Sequence, residues 1–257
     1  RYGVTPDSND ITNYTFFHEA CRNERVTEGI LQYLLEYFPN AIRYADEDGR
    51  LPIHTICRNR DPNPFERIFG HGRGRKAEHV TLGVVKVLVD AFPDSLSLED
   101  RFGYMPLHYF CLNQKILHEE IALKILKFLL KRCPESVRHT TTENRMLPIH
   151  LAARRQSHKF CRRLIKAYPG SERITANHGT LPFHLACQYN TVATAKYLYK
   201  LYPESIHVAI TANGSYPIHC VVAALEAEDN GKMVQFLLDC DPDVLHLAYQ
   251  GKLPLYW

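Results

Sequence analysis

The sequence has no apolar run near the roughly 18 residues that a membrane-spanning helix needs. Its longest candidate is the hexapeptide CVVAAL at 220–225. Charge of one sign is equally scarce, since 31 lysines and arginines stand against 28 aspartates and glutamates, a formal net charge of +3. That balance removes any chain-wide electrostatic demand for nucleic acid or an acidic membrane and leaves only local clusters to consider. Eight cysteines in 257 residues are too few for a small disulfide framework. Most of them sit inside apolar helical patterns, which predicts reduced thiols and an intracellular setting, cytoplasmic or nuclear. Because the first residue is Arg1, the lack of a targeting segment carries no weight. The tripeptides Asn13-Tyr14-Thr15 and Asn213-Gly214-Ser215 match the glycosylation acceptor pattern, but such matches arise often by chance and are set aside.

Catalytic signatures are missing too. HEEIA at 118–122 lacks the second histidine of a zinc-protease helix, and there is no serine-hydrolase elbow, dinucleotide fingerprint or calcium loop. The Gly-x-Gly-x-Gly at 70–74 has neither a preceding strand nor the Lys-Ser/Thr ending of a phosphate loop. The expectation is therefore a protein that is not an enzyme and takes no cofactor.

What the chain does have is one unit written repeatedly. A short motif recurs as YTFFHEAC at 14–21, LPIHTIC at 51–57, MPLHYFC at 105–111, LPIHLAA at 147–153, LPFHLAC at 181–187, YPIHCVV at 216–222 and LPLYW at 253–257. Between copies lies an apolar run closed by a proline, as in LLEYFPNA, LVDAFPDS, LLKRCPES, LIKAYPGS, LYKLYPES and LLDCDPDV. From each such proline to the next motif histidine, or to Tyr256, the spacing is 15, 15, 16, 15, 16 and 14 residues. From the histidine to the following proline it is 21, 39, 26, 19, 19 and 23, so all length variation has one address inside the unit. The 39-residue interval contains an insertion loop at 61–79.

Each unit reads as a short helix opened by a proline, a turn, a longer helix stopped by the later proline, and a crossing stretch that turns at DEDG, NHG or ANG. In the longer helices Val84, Val85, Leu88 and Phe92, or Leu123, Leu126, Phe128 and Leu130, give more apolar surface than one hairpin can hide. Stacked neighbours would hide it.

A repeat of this length, with [L/M/Y]-P-x-H-x-x-[C/A] opening a helix pair, resembles the ankyrin repeat and its T-P-L-H-x-A pattern. The Pro-Glu-Ser ending of the second helix is similar to a variant found in microalgal ankyrin-repeat proteins. The resemblance implies an all-α helical solenoid of about six stacked helix-turn-helix repeats and a truncated seventh. Their boundaries fall at 14–50, 51–104, 105–146, 147–180, 181–215, 216–252 and 253–257, after a leader at 1–13. The family's capping threonine is replaced by Leu51, Met105, Leu147, Leu181, Tyr216 and Leu253, so other groups must cap those helices. Phe16 stands where the other motifs have proline, which makes the first unit an irregular end.

Histidine and cysteine stand three apart at His18/Cys21, His54/Cys57, His108/Cys111 and His184/Cys187, and so share a helical face. A zinc site needs four ligand atoms within about 4 Å of one another, whereas stacked helices lie roughly 8–10 Å apart. The cysteine slot also accepts Ala153 and Val222 while His150 and His219 stay, which marks it as small apolar volume. The resemblance implies that these six histidines, His18, His54, His108, His150, His184 and His219, are neutral rings bonded to backbone.

It also implies a protein-binding scaffold that uses hairpin tips and a concave face lined by the first helices. The tips carry Asp48, Arg50, Arg101, Tyr104, Asn144, Arg145, Asn177, His178, Asn213 and Tyr249, and the first helices add Arg58, Asn113, Arg154 and Gln188. Arginine and tyrosine dominate interface energetics, so Arg50, Arg101, Tyr104, Arg145 and Tyr249 lead that set, with His178 beside them. One alternative is that the chain is the recognition array of a larger enzyme or signalling protein. Another is a polyanion, nucleic acid or phospholipid, held by the basic fourth repeat through Arg154, Arg155, Lys159, Arg162, Arg163 and Lys166. The sixth repeat is acidic around Glu226, Glu228, Asp229, Asp239, Asp241 and Asp243. The complete protein is expected to be a monomer. The cut seventh repeat predicts a bare apolar flank at Leu237, Leu238, Val244 and Leu247.

Overall fold

A computed structural model describes residues 11–23, 25–58, 81–113, 118–224, 230–248 and 251–254, with the backbone alone of 11–14. The 61–79 insertion, Glu226, Glu228, Asp229, Tyr249 and Tyr256 lie outside the described residues. The chain divides into two compact units, Arg1–Ser136 and Val137–Trp257.

The first unit contains α1 (Ile11–Arg22), α2 (Glu28–Tyr37), α3 (Pro52–Arg58), α4 (Leu82–Ala91), α5 (Pro106–Leu112) and α6 (Glu119–Arg132). In it α1, α3 and α5 form one layer and α2, α4 and α6 the other. The second unit contains α7 (Pro148–Arg155), α8 (His158–Ala167), α9 (Pro182–Tyr189), α10 (Val192–Leu201), α11 (Pro217–Val222) and α12 (Asn230–Cys240), layered in the same way. Six helix pairs therefore stand among the described residues, and the architecture is the all-α, ankyrin-type stack that the repeat implies. The first helix already runs at Ile11, three residues ahead of the drawn boundary at 14.

The local chemistry accounts for where each helix starts and stops. Proline opens α3, α5, α7, α9 and α11, where its missing N–H is one of the helix's unsatisfied donors in any case. Thr27, Thr81 and Ser157 cap α2, α4 and α8 by accepting the N–H of Ile30, Val84 and Phe160. Each longer helix ends at the residue before a proline, which the pyrrolidine ring pushes out of the helical region: Phe92 has φ −145° and ψ 81°, Tyr202 φ −145° and ψ 78°. The proline then opens a short 3₁₀ turn, seen at Pro93–Ser97, Pro134–Arg138, Pro203–His207 and Pro242–His246, where only a crossing stretch was expected. A serine closes it. Ser95, Ser136 and Ser205 each donate both backbone N–H and hydroxyl to the carbonyl before the proline, the hydroxyl bonds measuring 2.5, 2.6 and 2.5 Å.

In four repeats the last residue of the 3₁₀ turn reaches the residue before the proline of the next repeat. The guanidinium of Arg43 lies 4.3 Å from the Phe92 ring centroid, Arg138 4.4 Å from Tyr168, and Arg173 4.5 Å from Tyr202. Where Asp241 takes the aromatic position, His207 takes the arginine position, and its Nε2 stands 2.7 Å from the carboxylate. The two sides of this rung change together, from cation over ring to imidazole against carboxylate. The sequence showed both halves but not their pairing, because they lie about 30 to 50 residues apart.

Two apolar expectations need correction. In α6 the buried stripe is Ala122, Ile125, Leu126 and Leu129, while Leu123, Phe128 and Leu130 lie at its edges, half-buried. The 3.6-residue period places the first set on one line. In the last repeat Leu237 and Val244 are fully buried and Leu238 and Leu247 half-buried, so these four do not form a bare flank. The internal packing of α12 and of its 3₁₀ turn already covers them.

One position in the 3₁₀ turns breaks the pattern. Ile42, Leu96, Val137 and Ile206 are buried aliphatic residues and Leu245 a half-buried one, but the fourth repeat has Glu172, which is buried. Its Oε2 has no hydrogen-bond partner among the described residues, and its Oε1 is only 3.6 Å from Arg173 Nε. The preceding Gly170, at φ 87°, shortens the turn to three residues, and the buried hydroxyl of Ser171 is left without a partner as well. A buried carboxylate with one oxygen unpartnered and the other held only by a 3.6 Å ion pair to Arg173 is destabilising, and the aliphatic residue of the sister repeats fits the slot. Glu172→Ile is expected to raise unfolding free energy by about 1–2 kcal/mol. Urea denaturation followed by circular dichroism checks it, and a loss of stability would contradict the assignment of this slot.

Candidate interaction surface

The motif histidines answer the capping question left by the missing threonine. His54, His108, His150, His184 and His219 are each the third residue of their helix, and Nδ1 accepts the N–H of the residue just ahead of that helix: Leu51 at 3.0 Å, Met105, Leu147 and Leu181 at 3.1 Å, Tyr216 at 3.2 Å, whereas His18 stands eighth in α1 with its Nδ1 3.4 Å from Thr55 Oγ1. This is half of a capping box with imidazole in the glutamate role. The opposite ring edge donates across the repeat, from Nε2 of His54 to Leu98 O (3.1 Å), of His150 to Ile174 O (3.0 Å) and of His184 to Val208 O (2.8 Å). His18 does the same to Tyr44 O at 2.9 Å. An Nδ1 that accepts from an amide carries no proton, so the rings of His54, His108, His150, His184 and His219 are neutral with the proton on Nε2. Burial holds His54, His150 and His184 at pKa values of about 4. Both nitrogens of those rings serve backbone, and the neighbouring cysteines are packed inside: burial pushes the Cys57 thiol up to about 12.

The crossing stretches that these histidines pin lead into the hairpin tips. Five tips among the described residues are closed by a backbone bond, such as Asp46 N–H to Arg50 O, Asp100 N–H to Tyr104 O or Ala176 N–H to Thr180 O. Successive tips are also tied to one another within each unit, by Arg101 N–H to Asp48 O (3.0 Å), Asn177 N–H to Asn144 O (2.9 Å) and Thr211 N–H to His178 O (2.6 Å). The result is a pre-organised row of side chains.

Two residues before each motif start, the tip needs a left-handed backbone. Gly49, Gly103, Gly179, Gly214 and Gly251 supply it with φ between 72° and 80°. The remaining repeat has Arg145 there at φ 48°, and His178, beside Gly179, sits at φ 64°. Side chains other than glycine, asparagine, aspartate and histidine rarely adopt this region, so Arg145 is held against its intrinsic preference.

The other residues singled out from the sequence fall into different surroundings. Arg101, Arg145 and His178 are exposed at tips. Tyr104 is half-buried, its ring 5.2 Å from Tyr109 and 5.8 Å from His108. Arg50 is engaged within its own turn, by Asp46 at 3.0 Å and by Asp48. Asn113 is buried and its amide donates to Cys57 O, which removes it from any surface. Arg58 lies over Tyr109, and Arg154 over Tyr189 at 4.3 Å with its Nε buried. Arg154 therefore stands apart from Lys159, Arg162, Arg163 and Lys166, which are exposed on α8, while Arg155 is exposed at the end of α7.

Residues 117–209 match the family described as ankyrin repeats (3 copies), which supports ankyrin-repeat family membership. None of the curated proteins matches the chain. Among solved structures, the chain is similar in fold to a chain of the predatory endopeptidase from Bdellovibrio bacteriovorus in complex with immunity protein, with a TM-score of 0.61 and 14% identity over 87% of this chain and 96% of that one. At that identity the likeness is one of fold.

The histidine clamp has two measurable consequences. His184→Ala leaves the Leu181 N–H and the Val208 carbonyl without their bonds and should cost about 1–3 kcal/mol; a variant as stable as the parent in urea would contradict the clamp. In acid, the unfolded chain binds protons near pH 6.5 that the folded His54, His150 and His184 accept only near pH 4. Their contribution is thus complete above about pH 6.5 and lost as pH falls toward 4. Urea midpoints should drop steeply between pH 7 and pH 5, and equal midpoints would show that the rings are not held neutral.

Proposed function

We propose that the chain is a non-enzymatic protein–protein interaction scaffold, a Pro-x-His variant of the ankyrin repeat that holds a protein partner through its hairpin tips and first helices. The helical repeat fold is consistent with a protein–protein interaction surface. The similar solved chain comes from a protein–protein complex, which agrees with a protein partner and does not identify one.

The observation that carries the reading is Arg145. Five sister tips use glycine at its position, so nothing in the turn requires a side chain there. The repeat nevertheless keeps an exposed arginine at φ 48°, flanked in the neighbouring tip by exposed His178 at φ 64°. Strain held at an exposed tip points to what the side chain contacts outside the repeat. Arg101 and Tyr104 extend the same kind of surface in the first unit. A row of tips tied by backbone bonds loses little freedom on binding, which favours affinity.

Arg145→Gly separates stability from binding, because the two effects have opposite sign. The variant should be more stable by about 1 kcal/mol, since the left-handed conformation penalises a side chain and not glycine. It should also hold the captured protein at least about tenfold more weakly, as expected for an arginine anchor. The partner is captured from cell extract on the intact chain, and the measurement is its affinity for the parent, for Arg145→Gly, and for the combined Arg101→Ala, Tyr104→Ala and His178→Ala variant. Unchanged affinity in both variants would retire the tips as the binding surface.

A further inference from the structure

We propose that the outer face of α8 and α10 is a docking surface for an anionic phospholipid bilayer. Lys159, Arg162, Arg163 and Lys166 are exposed on α8, and Lys196 and Lys200 on α10. Phe160, Cys161, Leu164 and Ile165 on the one helix, and Thr194, Ala195 and Leu198 on the other, turn the opposite way into the core. The two helices pack side by side, so cations from two repeats share a face that neither repeat makes alone. Neither helix contains an aspartate or glutamate. Among the carboxylates around it, Glu172 is buried, Glu204 is exposed just beyond the end of α10, and Asp239 and Asp241 act on Cys240 together with Lys196, whose ammonium also lies 5.5 Å from the Phe236 ring centroid.

Helix stability does not explain this pattern. Lys159 with Arg162 and Arg163, Lys166 with the same two arginines, and Lys196 with Lys200 are like charges three or four residues apart, which repel. Lys159 also sits in the first turn of α8, against the positive end of the helix dipole. Of the equivalent helices elsewhere, α4 carries Lys86 and Asp90, α6 has two glutamates in its first turn and Lys131 and Arg132 in its last, α12 carries Lys232 and Asp239, and α2 carries only Glu28 and Glu36.

The face selects its partner by what it lacks. Neither helix has an exposed large apolar or aromatic side chain. A protein interface would need such an anchor at its centre, and single-stranded nucleic acid needs an aromatic platform for stacking. Duplex recognition inserts a helix or ribbon into a groove, whereas α8 and α10 lie flush with each other. A plane of lipid phosphates meets all these cations at once. Attraction of this kind is electrostatic and falls with salt as the screening length shortens. No described helix is long and apolar enough to cross a membrane, so the contact is to the bilayer surface.

The test is cosedimentation of the full chain with phosphatidylcholine vesicles, with and without phosphatidylserine, at low and high salt. Binding is expected only with phosphatidylserine and only at low salt. The double variant Arg162→Gln, Arg163→Gln should lower partitioning at least about tenfold, because each basic residue near an anionic surface contributes several-fold. Lys86→Gln, which removes an exposed lysine of the first unit, should leave it unchanged, as should the tip variants, so failure here is distinct from failure of the protein-partner reading. Thermal melts of both charge variants check that the fold is intact. The proposal is overturned if the parent shows no phosphatidylserine dependence, if Lys86→Gln loses as much as the double variant, or if duplex DNA at equal phosphate concentration displaces the vesicles and so claims the face.

Discussion

The fold rests on a neutral imidazole that bonds backbone at both edges. One edge closes the amide ahead of a short proline-opened helix, and the other reaches a carbonyl just past the 3₁₀ turn of the same repeat, 24 residues further on for His150 and His184 and 44 for His54. A hydroxyl or carboxylate cap could satisfy the first group but carries no rigid second donor across the gap. Imidazole supplies an acceptor and a donor at fixed separation, and it can do so only while uncharged. Burial keeps it uncharged, and the stack provides the burial.

With both ends of the crossing stretch pinned, the other devices of the repeat follow in order. The proline stops the second helix and forces its preceding residue out of the helical region. The serine then closes the 3₁₀ turn, and the last residue of that turn is presented to the neighbouring repeat. There arginine meets an aromatic ring three times, and histidine meets aspartate once. Geometry comes from the clamp, and the fit between neighbours comes from the rung.

The tips and the outer helical face depart from these rules in different ways. Arg145 violates a backbone preference that five sister tips respect, while α8 lacks the acidic residues that α2, α4, α6 and α12 carry. Glu172 is a third departure, placing a carboxylate where an aliphatic side chain belongs. All three lie in repeats four and five or at the tip leading into them, so the second unit concentrates the residues that packing alone does not explain.

Much of this was legible in the sequence because the signals are local and repeated. The proline and histidine of five motifs stand two residues apart, and the nearly fixed interval from the second-helix proline to the next histidine marks one covalent length of chain bridging one repeat thickness. Small apolar volume at the cysteine slot could be read from Ala153 and Val222. Tertiary structure alone decided which nitrogen of each histidine accepts and which donates, because the carbonyl partners share no motif with the ring. It also decided that Arg43 lies over Phe92, that Arg50 is held by Asp46 and Asp48, and that Arg154 turns toward Tyr189 and away from the basic helix after it. Side-chain identity shows what a residue can bond, but its partner is set by which segments the stack brings within a few ångströms, and those segments are distant along the chain.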